Sequence, residues 1–421
     1  MKKRMALLLA LLLALLTFSI AAQADETALP AVGDAVEGFT VKSVSRFELL
    51  GADVVLFEHD KTGAQLMYLA NEDTNRVFEI TFRTPAESEM GVSHVFEHAT
   101  LDGSEKYPSK ELFFNLSYQT YNTYMNAATY SVMTTYPVAS LSEAQLLKYA
   151  DYYTDSCFNP MIAEDPSLFD EECWRYALSS ADGDLTIAGT VYSEMRGAYT
   201  LDSAASFNFL KTLFPGSTIG NCFGGNPAHI PEMSNDDIVA YHEKYYHPSN
   251  SLTCLYGSFE DYTAFLKLLD GYFSQYEKKD VVIEDAGYTP LTEPAEAVYQ
   301  YGVEAGSDVK NGAAVYYGIV LEGATDEEID QLDLLSTLIA DGSSVLMQNM
   351  KEALPSADVS CYVEIAGPEP AMVFSAAGVN ASDAPLFRET VDKSIADVAE
   401  NGFDADAVDA VIAALRLETL L

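Results

Sequence analysis

His94-Val-Phe-Glu97-His98 carries the most chemistry in this chain. Two imidazoles stand four residues apart, with a carboxylate directly before the second. On an α-helix, positions i and i+4 share one face, so both rings can reach a single divalent ion. Glu97, at i+3 from His94, points to nearly the same side and can touch a water held there. This is the reversed form of the His-Glu-x-x-His zinc helix.

A catalytic zinc site needs three protein ligands and one open position for water. The third ligand must come from elsewhere. Glu194, in Thr190-Val-Tyr-Ser-Glu194-Met-Arg-Gly197, is the best candidate: it lies in a short helical segment after the Ala181-Asp-Gly-Asp184 turn. Composition alone does not single it out, because the chain has 64 acidic residues.

Several elements must position these groups. Apolar alternation and turn residues predict a meander of strands at 54–58, 65–69 and 76–82, with Phe78, Ile80 and Phe82 on one face. Pro85 ends the third strand, and a Ser/Glu-rich stretch leads into the helix of His94. Helical periodicity recurs at 109–116, 142–157, 167–179, 235–245 and 262–273, with strand signals at 121–136 and 251–256. Pro290 and Pro294 mark a linker at 281–298. Beyond it the pattern predicts a strand at 313–321, helices at 326–340 and 343–352, two further strands and a final helix. This echoes the strand–helix order of the first part and implies a weak internal duplication whose second copy lacks the paired histidines. The chain stops inside an amphipathic run at 405–421 with no capping signal, which reads as a truncated sequence.

At 421 residues, two domains are the natural expectation. We assign 30–280 to a metal-binding domain and 299–421 to a second, non-catalytic and incomplete one. Residues 1–24 have the form of an export signal: a basic start at Lys2, Lys3 and Arg4, an apolar run at 5–20, and Ala22-Gln-Ala24 as the cleavage site. The expected location is therefore secreted or in the cell envelope, without stable membrane association after cleavage. An uncleaved anchor is the alternative. The net charge of −41 argues against a nucleic-acid partner. Its plain reading is solubility, and its sharper one is attraction of basic peptides. Five cysteines, none in a C-x-x-C pair, imply neither a disulfide framework nor a thiolate zinc site. His59, His229 and His242 read as strand, loop and helix-surface residues, His247 and Asn250 as scaffold, and Phe223-Gly-Gly-Asn-Pro227 as a turn.

The sequence resembles the pitrilysin-type inverzincin metallopeptidases, and most closely their presequence-protease branch. The matching stretches are Gly91-Val-Ser-His-Val-Phe-Glu-His98, Gly103-Ser-Glu-Lys-Tyr-Pro108, Asn122-Thr-Tyr-Met-Asn-Ala-Ala-Thr-Tyr130, Thr135-Tyr-Pro-Val-Ala-Ser140, Val191-Tyr-Ser-Glu-Met-Arg-Gly197 and Tyr246-His-Pro-Ser-Asn250. They fall in one order across roughly 50–257.

The resemblance implies an α+β fold of two related domains, each a mainly antiparallel sheet flanked by helices. It implies one Zn2+ per chain held by His94, His98 and Glu194, with Glu97 as general base. It also implies that Asn126, Ala127 and Ala128 form an edge strand to which a peptide adds. The expected function is then a secreted zinc endopeptidase acting on short unfolded peptides. In the family two halves close around a chamber, and the other half supplies an Arg and a Tyr that cannot be placed on this sequence. A missing C-terminal half is thus an expected partner that completes the chamber, and its absence puts the activity of the isolated chain in doubt. The alternatives are a non-catalytic scaffold subunit, or a module that captures peptides without turnover.

Overall fold

The computed structural model describes residues 29–283 and 287–418. The expected export signal, part of the linker and the last three residues lie outside them.

The first unit is built on a nine-stranded sheet. Its strands are β1 (Ala35–Val36), β2 (Phe39–Phe47), β3 (Ala52–His59), β4 (Gln65–Ala70), β5 (Arg76–Arg83), β6 (Tyr124–Met125), β7 (Ala128–Thr129), β8 (Met133–Ser140) and, after a hairpin formed by β9 (Arg175–Leu178) and β10 (Leu185–Ala188), β11 (Ser251–Gly257). As the alternation predicts, Phe78, Ile80 and Phe82 turn inward from β5.

The expected meander needs correction. β3 and β4 pair antiparallel, but β5 is not next to β4. β11 lies between them, parallel to β4 and antiparallel to β5. Local alternation fixes strand type and face, whereas neighbours in a sheet are chosen by long-range packing.

The helices of this unit are α1 (Val92–Leu101), α2 (Leu112–Gln119), α3 (Glu143–Phe158), α4 (Ser167–Glu172), α5 (Thr190–Ala198), α6 (Leu201–Leu213), α7 (Asn235–Tyr245) and α8 (Thr263–Phe273). α2 begins three residues later than its pattern suggested. The helix expected over 167–179 ends at Glu172, and Arg175–Leu178 becomes a strand of the hairpin instead. α6 was not anticipated; Thr200 and Ser203 cap it reciprocally.

Between α8 and β12 (Ala313–Val320) the described residues form no helix or strand. A second, three-stranded sheet follows, with β14 (Ala371–Val379) between β12 and β13 (Asp358–Glu364), all antiparallel. Its helices are α9 (Asp326–Ala340), α10 (Val345–Ala353), α11 (Ala384–Asn401) and α12 (Ala405–Glu418). The single final helix expected there is two, separated at Gly402, whose φ of 75° is left-handed.

Most of the core lies in the first unit, where Phe57, Phe78, Phe82, Phe96, Tyr136 and Tyr153 are fully buried together. Each such side chain contributes roughly 1.5–3 kcal/mol. Phe374, Leu346 and Val391 anchor a separate core in the second unit. Leu210, Leu213 and Phe214, in and just after α6, meet Ala371 and Val373 of β14, so the two units also share an apolar contact. Among the described residues, no helix is long and apolar enough to cross a membrane.

Candidate metal centre

α1 divides its faces sharply. Val95, Phe96 and Ala99 are fully buried in the core, while His94 and His98 emerge half-buried on the opposite side. Burial of the apolar stripe therefore fixes the rotation at which the histidines are presented. The helix starts at Gly91, in the left-handed region with φ 71°. A Cβ at this position would lie 2.5 Å from the Gly225 backbone, so the helix start and the 223–226 loop can meet only through glycine.

That close approach places a ligand-orienting group. The Gly224 carbonyl lies 2.9 Å from His94 Nδ1. A carbonyl only accepts, so Nδ1 of a neutral His94 carries the proton and Nε2 presents its lone pair. His98 repeats the logic: its Nδ1 is 3.2 Å from Glu172 Oε2, at the end of α4. Both rings thus turn Nε2 toward the same place. The ring centroids are 4.9 Å apart.

Glu194, from α5, completes the group. Its Oε2 lies 3.8 Å from His94 Nε2 and 3.5 Å from His98 Nε2. Donors bound about 2.0–2.2 Å from one ion in a tetrahedron are about 3.4 Å apart. Ligand atoms of all three residues lie within 4.8 Å of one another, a group that could hold a single metal ion. Glu194 is exposed, which leaves an approach from solvent.

Electrostatics tie the supporting shell together. Burial opposes protonation of His98, but its hydrogen bond to Glu172 and the charges of Glu97, Glu172 and Glu194 outweigh it and raise its pKa. Burial likewise works to raise Glu172, yet its bonds to His98, Asp102 and Thr190 hold it below the usual carboxylate range. Asp102, at the C-terminal cap of α1, is pushed up to about 8 by burial and by Glu172.

Glu97 is nearly buried, and its Oε2 accepts a 2.7 Å hydrogen bond from the Thr129 hydroxyl. Thr129 belongs to β7. β6 and β7 pair with β8 and with no other described strand, so they form an edge of the large sheet beside α1. Asn126, Ala127 and Ala128 all lie on this edge. Asn126 sends its N–H to the Pro137 carbonyl at 3.2 Å and Tyr130 sends its own to Met133 at 2.8 Å. By the two-residue repeat, Ala127 and Thr129 direct their main-chain groups to the open side. The Asn126 side chain is exposed, while Ala127 is buried.

Sequence reasoning missed three residues here: Gly224, Glu172 and Thr129. The 223–227 stretch is a turn, as expected, but it also supplies a carbonyl to His94. Its paired glycines were the available signal; Glu172 and Thr129 left none beyond their residue types. One expectation is corrected. His242 is not on the helix surface but stacks on Phe96, with ring centroids 5.1 Å apart, and binds the Cys157 carbonyl at 3.0 Å. His59 is buried at the end of β3, and His229 lies in a loop beside Glu232. The five cysteines are free thiols.

Comparison with known proteins follows the same residues. The family profile "Insulinase (Peptidase family M16)" matches 83–185, which contains His94, Glu97 and His98. A second profile, "Peptidase M16 inactive domain", matches 232–415. The chain is 30% identical to Protein HypA of Clostridium perfringens over 387 residues, covering 90% of this chain and 40% of that protein. It is 32% identical to presequence protease 1, chloroplastic/mitochondrial, of Arabidopsis thaliana, covering 85% of this chain and 34% of that protein. The fold matches the crystal structure of pitrilysin with a TM-score of 0.57 at 16% identity, over 88% of this chain and 39% of pitrilysin. The chain thus spans about two fifths or less of the length of these relatives.

Proposed function

We propose, from the premise that this chain belongs to the M16 (insulinase/pitrilysin-like) peptidase family, that it carries the zinc-binding half of a metalloendopeptidase acting on short, unstructured peptides. The observation that carries this reading is the convergence of His94, His98 and Glu194 beside a nearly buried carboxylate, Glu97.

His94, His98 and Glu194 would hold the ion. When bound, zinc lowers the pKa of a coordinated water and polarises a carbonyl. Gly224 and Glu172 keep the two imidazoles in the tautomer that binds through Nε2. Glu97 takes a proton from the attacking water and passes it to the leaving amine. The free edge of β6 and β7 accepts an extended peptide as an added strand, and Asn126 bonds its main chain. Backbone pairing of this kind is nearly blind to side-chain identity, which suits broad peptide degradation. The acidic surface favours basic peptides. The export-like start of the sequence supports an extracytoplasmic location.

The test is peptide cleavage by the full-length protein and its Glu97→Gln variant. The variant should keep its zinc and lose activity by about 10²–10⁴-fold. A zinc-loaded parent that leaves every unfolded peptide intact would end this reading.

The match of 232–415 to an inactive domain favours a second reading, a non-catalytic subunit on the same scaffold. Equal peptide binding with and without chelator, and no turnover, would select it.

A further inference from the structure

We propose that Thr129 is a positioning residue that fixes the carboxylate of Glu97, and so couples the substrate-binding edge to the base. The proposal rests on the reading of Glu97 as general base given above.

A glutamate carboxylate turns freely about its last torsion unless something holds it. The Thr129 hydroxyl, 2.7 Å from Glu97 Oε2, does so and leaves Oε1 for a water. Thr129 is β-branched, restricted at χ1 and nearly buried, so its hydroxyl is itself well fixed.

Two further hydroxyls stand behind it. Thr134, paired with Thr129 across β7 and β8, has its Oγ1 3.4 Å away, and Thr84 Oγ1 lies 2.8 Å beyond. Both are fully buried. A hydroxyl has one proton to give. Thr129 gives its proton to the carboxylate, so toward Thr134 it can act only as an acceptor. The three hydroxyls thus form a buried polar row that ends on Glu97. The same Thr129 faces the open side of the edge with its main chain. An added peptide strand would therefore engage, through its backbone, the residue whose side chain aims the base.

The experiment compares Thr129→Val, which keeps the shape and removes the donor, with Thr129→Ser, which restores the donor, in the full-length protein. Thr129→Val should lower kcat roughly ten- to a hundredfold, as expected for losing a hydrogen bond to a charged group, with KM and zinc content unchanged. Thr129→Ser should recover most of the rate. A crystal structure of Thr129→Val should show the Glu97 carboxylate turned from its parent position. An unchanged rate, a loss that serine fails to rescue, or a carboxylate left in place would overturn the proposal. If the parent cleaves no peptide, the reading of the site as a peptidase fails, and the carboxylate position in Thr129→Val still decides what Thr129 does.

Discussion

Glu172 Oε2 stands 3.2 Å from His98 Nδ1, so a carboxylate at the end of α4 dictates which nitrogen of the metal-facing imidazole is free. Such outer partners orient the ligand and raise its basicity. Glu172→Gln removes the charge while keeping an acceptor. Zinc affinity, measured by competition with a chelator, should fall roughly 10–100-fold. An unchanged affinity would show that the carboxylate orients nothing.

Asn126 presents an exposed side chain on the edge of the sheet. Asn126→Ala should raise KM for peptides by roughly five- to tenfold, the worth of about one hydrogen bond, with zinc content unchanged. A loss confined to kcat would instead place Asn126 in the chemistry.

His242 links the stability of the metal helix to pH. Burial lowers its pKa below the ordinary value, against the opposing hydrogen bond to the Cys157 carbonyl and the charge of Glu243. A depressed folded-state pKa gives stability that is present above the unfolded value of about 6.5 and is lost as pH falls through the folded value. The metal-free parent should therefore lose more Tm between pH 7 and pH 5 than His242→Gln, which retains a donor to Cys157. Parallel curves for the two proteins would contradict this.

The excess of 64 acidic over 23 basic residues predicts electrostatic attraction of cationic peptides. Cleavage of a Lys/Arg-rich peptide should slow as salt rises from 0.1 M to 1 M, where the screening length shrinks from about 10 Å to about 3 Å. A neutral peptide should respond little. Equal salt responses would remove any role for the surface charge.

Much of the site was legible because its signals are local. The i, i+4 spacing of His94 and His98 places both rings on one helical face, and the Val/Phe/Ala stripe of α1 fixes that face outward. Glu194 was legible only through the resemblance, since any of many carboxylates could fold back. What stayed hidden was long-range. β11 inserts between β4 and β5 with no local cue, because order in a sheet is set by packing. Glu172 meets His98 because α4 stops early and turns into the β9–β10 hairpin, an end that the apolar periodicity of 167–179 had concealed. Thr129 looked like one more edge-strand residue until the strand lay beside Glu97.

The central claim is a zinc ion held by residues from α1 and α5, and the most direct test is anomalous diffraction at the zinc edge on crystals of the full-length protein. The account predicts one peak per chain, about 2.0–2.2 Å from His94 Nε2, His98 Nε2 and a Glu194 carboxylate oxygen. A zinc-supplemented crystal with no peak there, or with Glu194 turned out of bonding reach of the peak, would contradict it.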